Sequence, residues 1–133
     1  MQTFFAKIIK NGESMNQIFL VGKLGQDPKM KYTGSGKALC EFGVATFNGK
    51  DKDPTWHNIV CWGELAERCN QFLGKGRHVT IMGKQDNEVY EKDGMKKYYS
   101  KVVAFGVYWD NPVHNKDNKE SLDVSSLKTV KKE

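Results

Sequence analysis

Apolar residues along this chain fall into short alternating or continuous runs separated by glycine, proline and polar clusters, a pattern of strands and tight turns. The run Ile18-Phe19-Leu20-Val21, within Met15–Leu24, is nearly unbroken and predicts a first strand covered on both faces. Gly25-Gln26-Asp27-Pro28 ends it, Lys29–Tyr32 fits a short strand, and Thr33–Gly36 turns the chain. Ala38–Phe47 predicts a long strand with Cys40, Phe42 and Val44 toward the core and Gly43 as a bend or bulge. Asn48–Pro54 is a polar, exposed loop. In the next strand, Thr55–Trp62, Trp56, Asn58, Val60 and Trp62 share one face while His57, Ile59 and Cys61 share the other.

A helix follows directly. Leu65, Cys69, Phe72 and Leu73 form its apolar stripe, Glu64 and Glu67 occupy the first turn, and Gly74 and Gly76 bracket its stop. Arg77–Gln85 is a strand in which Val79, Ile81 and Gly83 alternate with Thr80 and Met82. Glu88–Tyr90 and Lys96–Tyr99 flank Asp93-Gly94, a hairpin signal, and Val102–Trp109 is the last strand. From Asp110 to Glu133 the composition turns to Asn, Asp, Lys, Glu and Ser without an aromatic residue, which predicts a disordered tail. Three long strands, a helix and two further strands make an all-β chain. The expected architecture is a five-stranded OB-fold barrel with one short helix between strands 3 and 4, a fold that binds oligonucleotides on its strand 2–3 face.

The tryptophan pair has two readings on its strand alone: buried core aromatics, or an open platform for flat ligands. The hairpin likewise reads as an ordinary amphipathic ribbon, or as a nucleic-acid surface. It interleaves Tyr90, Tyr98 and Tyr99 with Lys92, Lys96, Lys97 and Lys101, rings for bases and ammonium groups for phosphates. Charge bears on the choice. The chain carries a net charge of +5, and residues 1–109 hold 16 Lys and Arg against 11 Asp and Glu, so the basic excess lies in the strand-rich part and suits an anionic partner.

Other chemistries find little support. Gly34-Ser35-Gly36-Lys37 has Lys31 and Ala38 where a phosphate-binding loop needs glycine and Ser or Thr. Cys40, Cys61 and Cys69 include no C-x-x-C pair, and His57, His78 and His114 have no ligand-like spacing, so no metal, cofactor or disulfide framework is expected. No motif suggests an enzyme. No run approaches the roughly 18 apolar residues of a membrane span, and Met1–Ser14 makes a poor signal or transit peptide, so a cytoplasmic location is the default.

Met15-Asn16-Gln17-Ile18-Phe19-Leu20-Val21-Gly22-Lys23-Leu24-Gly25-Gln26-Asp27-Pro28 resembles the start of bacterial-type single-stranded DNA-binding proteins. So do Lys31-Tyr32-Thr33 with the Ser35-Gly36 turn, Thr55-Trp56-His57, Gly63-Glu64-Leu65-Ala66-Glu67, and Gly74-Lys75-Gly76, all in the family's order. The resemblance covers about residues 15–107. It implies a non-catalytic homotetramer of OB-folds that wraps single-stranded DNA, without sequence preference, in replication, recombination and repair.

By resemblance, Trp56 is the family's stacking tryptophan, Trp62 stands for a stacking phenylalanine, and Tyr90 is the hairpin aromatic. Phe47 substitutes in part for a stacking tryptophan missing from the shortened Asn48–Pro54 loop. Lys23, Lys31, Lys37 and Lys84 match basic or polar groove positions, joined by Lys96 and Lys97 of the hairpin, while His57 and Asn16 are assigned to the oligomer interface. Residues 1–14 read as an N-terminal extension, 15–109 as the binding domain and 110–133 as the tail. The tail ends Leu127-Lys128-Thr129-Val130-Lys131-Lys132-Glu133, without the family's acidic tip, so recruitment of the usual replication and repair partners is not expected, and a phage, plasmid or organelle member fits as well as a cellular, nucleoid-associated one. The alternative is a dimeric accessory of the primosomal replication protein N type, acting through protein contacts.

Overall fold

The strands close into a ring. In the computed structural model, which describes residues 2–110, the order is α1 (Gln2–Lys10), β1 (Ile18–Leu24), β2 (Lys29–Tyr32), β3 (Ala38–Thr46), β4 (Thr55–Trp62), α2 (Gly63–Phe72), β5 (His78–Lys92) and β6 (Met95–Tyr108). β1 runs antiparallel to β5, and β5 antiparallel to β6. β6 runs parallel to β4 at Ile59/Val102 and Val60/Val103. β4 pairs antiparallel with β3 along its whole length, from Thr55/Thr46 to Trp62/Leu39. β3 returns to β1 at Lys23/Ala45 and Leu24/Val44, completing an OB-fold barrel of five strands with β2 paired on the far edge of β3. Closure needs β1 to cross close over β3. A Cβ on Gly22 would run into the Ala45 carbonyl and the Val44 side chain, so only glycine permits that corner.

Alternation decides the core. Cys40, Phe42 and Val44 of β3 meet Ile59 and Cys61 of β4, Val79 and Ile81 of β5, and Val102 and Ala104 of β6 inside the ring. Burying a side chain such as Ile59 or Ile81 contributes about 2 kcal/mol. α2 closes one side of this core with Ala66, Cys69 and the following Leu73.

Several expectations need correction. β1 is covered on one face only: Phe19 and Val21 remain 62% and 59% exposed, and among the described residues Phe19 is merely edged by Phe5, Ile8 and Ile9 of α1 across an open groove. The strand predicted to end at Gln85 and the hairpin arm are one strand, since β5 and β6 stay paired without a break from Gly83/Ala104 to Lys92/Met95. Gly43 is no bulge; it pairs with Asn58 in regular register, and the irregularity lies between Met82 and Gly83. On α2 the inward residue is Ala66 rather than Phe72, which turns out to meet Trp109 at 6.1 Å between ring centroids. The helix begins at Gly63, so Glu64 but not Glu67 falls in its first turn.

Residues 2–10 of the predicted extension form α1. Phe4, Phe5, Ile8 and Ile9 recur at helical spacing there, and Lys7 and Lys10 stand in the last turn, where cations favour the helix dipole. The predicted tail, from residue 111 onward, lies outside the described residues.

Candidate nucleic-acid interface

The outer face of β3 and β4 is set by the same alternation that fills the core. Trp56 stands opposite Ala45, Asn58 opposite Gly43, Val60 opposite Glu41 and Trp62 opposite Leu39. β2 widens the face with Lys29 beside Glu41 and Lys31 beside Leu39. The two indoles lie six residues apart on β4, roughly 20 Å along the strand. They are not core residues: Trp56 is 59% exposed and Trp62 half-buried. Val60, between them, is buried beside Val103 of β6, so the face is two aromatic stations separated by a tight seam.

Each station carries cationic groups. At the Trp62 end, the Lys37 ammonium lies 4.8 Å from the indole centroid, a cation–π contact that also brings charge beside the ring. Lys31 reaches the Glu41 carboxylate at 3.1 Å, so this lysine is partly engaged within the sheet. At the Trp56 end, a groove of about 550 Å³ is lined by Trp56, Phe47, Pro54, Lys23, Lys75 and His78 among others. Phe47 is 83% exposed at its rim. The loop behind it is braced by Asn48, whose Nδ2 donates to the Asp53 carbonyl and the Thr55 hydroxyl, both at 2.8 Å. Lys75 is held close by its backbone N–H, which donates to Asp27 Oδ1 at 2.8 Å.

The hairpin adds a second surface. From the register, Lys84, Tyr90, Lys97, Tyr99 and Lys101 project to one side of the ribbon, and Lys96 and Tyr98 to the other. The structure therefore separates Lys96 from Tyr90 and Lys97. Tyr99 reaches furthest toward β3 and β4, where it lines a cleft with Lys29, Glu41 and Asn58. Lys101 donates to Glu88 Oε1 at 2.5 Å, and this hydrogen bond raises the pKa of its ammonium. The tip turns through Asp93 and Gly94, both at positive φ, as a two-residue hairpin requires.

The two residues assigned to assembly have partners inside the chain. His57 Nε2 lies 3.0 Å from the Thr46 hydroxyl. Asn16 pairs its side-chain amide with the Gln85 backbone, donating at 2.7 Å and accepting at 3.1 Å, and so extends β1 by imitation of a strand. Lys75, His78 and Pro54 join the site without a sequence signal of their own, and Tyr99, one ring of the interleaved hairpin, gains its place beside β3 and β4. The signal for Tyr99 lay in the hairpin's alternation, whereas Lys75 and His78 join the groove only through the β1–β5 pairing and the turn after α2. Cys61 and Cys69 sit with their sulfurs 3.8 Å apart in the core, and their mutual hydrogen bond followed by burial raises the Cys61 thiol. Among the described residues no cluster of His, Cys, Asp and Glu could hold a metal, and no helix is long and apolar enough to cross a membrane.

The sequence matches the family described as "Single-strand binding protein family" over residues 15–109, the span of the barrel with both aromatic stations. The chain belongs to this family. Among its relatives, "Single-stranded DNA-binding protein 1" of Chlorobaculum tepidum is 40% identical over 99 residues, covering 68% of this chain and 61% of the relative. "Single-stranded DNA-binding protein" of Neisseria meningitidis is 38% identical over 99 residues, covering 68% and 57%, and that of Xanthomonas axonopodis 37% over 98 residues, covering 68% and 54%. The matched part spans somewhat over half the length of these curated relatives. A primosomal accessory is not favoured, since these relatives carry the single-stranded DNA-binding name.

Proposed function

We propose that this member of the single-strand binding protein family binds single-stranded DNA without sequence preference and without catalysis, serving replication, recombination and repair. Bases stack on Trp56, Trp62 and Tyr90, with Phe47 and Tyr99 as flanking rings, and each stack contributes roughly 1–3 kcal/mol. Lys23, Lys31, Lys37, Lys84 and Lys97, with Lys75 of the groove, neutralise phosphates, and Lys96 meets a strand that passes around the hairpin. The observation that carries this reading is Trp56: a large indole left open on a rigid strand, beside a groove edged by Phe47, Lys23 and Lys75. Duplex DNA offers no free base faces and binds far more weakly. Such a ligand implies a cytoplasmic, nucleoid-associated setting.

The protein acts as an oligomer, a homotetramer in keeping with its family. Two features support this: β1 carries exposed Phe19 and Val21, and among the described residues its Ile18–Gly22 stretch pairs with β5 alone, leaving one backbone edge for a second copy. Linked sites then raise the local concentration of strand. The test is tryptophan fluorescence during titration with oligo(dT), against a duplex of equal length. Quenching by oligo(dT) alone, and a roughly tenfold weaker affinity for Trp56→Ala and for Trp62→Ala, are expected. A double variant with unchanged affinity removes the platform.

A further inference from the structure

We propose that Gly25 is a positioning residue for Trp56: its bare backbone is the seat of the indole, and a side chain there turns the ring off the groove. The inference rests on the base-stacking reading of Trp56. A Cβ built on Gly25 stands 2.5 Å from Cζ3 and 2.6 Å from Cη2 of Trp56. Carbon atoms in contact prefer about 3.5–4.0 Å, so one partner must move by about an ångström. The backbone is the partner least able to do so. The Gly25 N–H donates to the Gly43 carbonyl at 3.2 Å, while Leu24 donates to the Arg77 carbonyl at 3.0 Å and accepts from the Gly76 N–H at 2.8 Å. The Leu24 side chain is buried in the core. Residues 24 and 25 are thus tied to β3 on one side and to the turn after α2 on the other. Trp56, largely open to solvent, has room to swing outward.

Conformation does not explain the glycine, since Gly25 is not among the residues at positive φ. Space does. On the β3 side, a Cβ on Gly43 would stand 3.8 Å from Cε3 of the same ring, an ordinary contact, so the close seat lies under residue 25 alone. Because the clashing atoms belong to the benzo half of the indole, the position of the ring over the groove, rather than its presence, depends on residue 25.

The experiment is a double-mutant cycle with the full chain, reading oligo(dT) affinity, quenching and thermal unfolding for wild type, Gly25→Ala, Trp56→Ala and the double variant. Gly25→Ala is expected to lose a factor in affinity comparable to that of Trp56→Ala, about tenfold, and the double variant to bind no more weakly than Trp56→Ala. Additive losses would place the action of Gly25 elsewhere and overturn the inference, as would wild-type affinity in Gly25→Ala while Trp56→Ala binds weakly. Unchanged affinity in Trp56→Ala is a different result: it overturns base stacking at this station and the seat with it. If Gly25→Ala unfolds, Trp56→Ala in the same chain relieves the clash and restores folding, and a double variant that stays unfolded overturns the proposal.

Discussion

Burial at single residues gives this barrel a measurable pH response. Cys40 has no exposed surface, and burial, reinforced by the neighbouring Cys69 and Glu41, pushes its thiol from 9.0 up to about 12. Between those values the unfolded chain has released a proton that the folded chain still holds. The contribution of this thiol to stability is therefore level below about pH 9 and falls as pH rises toward 12, by about 1.4 kcal/mol per pH unit. Urea unfolding at pH 8 and pH 10.5 should show a smaller alkaline loss in Cys40→Ala than in wild type, and equal losses would exclude this thiol as the source. Cys61 shifts in the same direction, so the variant keeps part of the slope. Reading Cys40 as a small buried hydrophobe was possible from its place between Phe42 and Leu39 in an alternating strand. Its proximity to Cys69, 29 positions away, was not, because only the packing of α2 on β3 brings the two together.

At the scale of elements, the β5–β6 ribbon reaches beyond the barrel. Every residue from Asp86 to Ser100 is exposed, so the outer half of the hairpin contributes no core contact. Replacing Val89–Tyr98 by Asn-Gly after Glu88 keeps the Glu88/Tyr99 pairing, a hydrogen-bonded pair like Lys92/Met95, and a two-residue turn. The shortened protein should unfold within a few degrees of wild type while binding oligo(dT) roughly tenfold more weakly, having lost Tyr90, Lys92, Lys96 and Lys97. Wild-type affinity would remove the ribbon from the binding surface. The Asp93-Gly94 turn was legible because two consecutive positive φ angles call for this dipeptide chemistry. The unbroken length of the strands was not: exposed polar residues such as Asp86 and Asn87 look like a loop until their ladder is seen.

For the whole molecule, the exposed apolar side of β1 is the feature a single chain leaves unresolved. Phe19 and Val21 sit beside a backbone edge that, among the described residues, pairs with β5 alone, and burying them in a second copy removes both apolar surface and that backbone edge from water. Phe19→Asp should therefore reduce the sedimenting mass toward the 15.1 kDa of one chain, with its circular dichroism unchanged. A wild-type protein that already sediments at that mass would exclude β1 as an interface.

What the sequence determined by itself is local: strand alternation set Cys40, Phe42 and Val44 toward the core and separated Trp56 and Trp62 from Ile59 and Cys61, with the buried face of that strand decided only by the barrel, and glycine and proline marked the turns. The order of strands and helix then sufficed for an OB-fold, because few closed arrangements bury one face of five short strands. Tertiary structure alone decided what depends on chain crossings. It put Gly25 under the Trp56 ring, Lys75 and His78 beside Phe47, and Tyr99 at the cleft of β3 and β4. These residues lie far apart in sequence, and no periodicity reports a contact between strands whose pairing is fixed by closure of the ring.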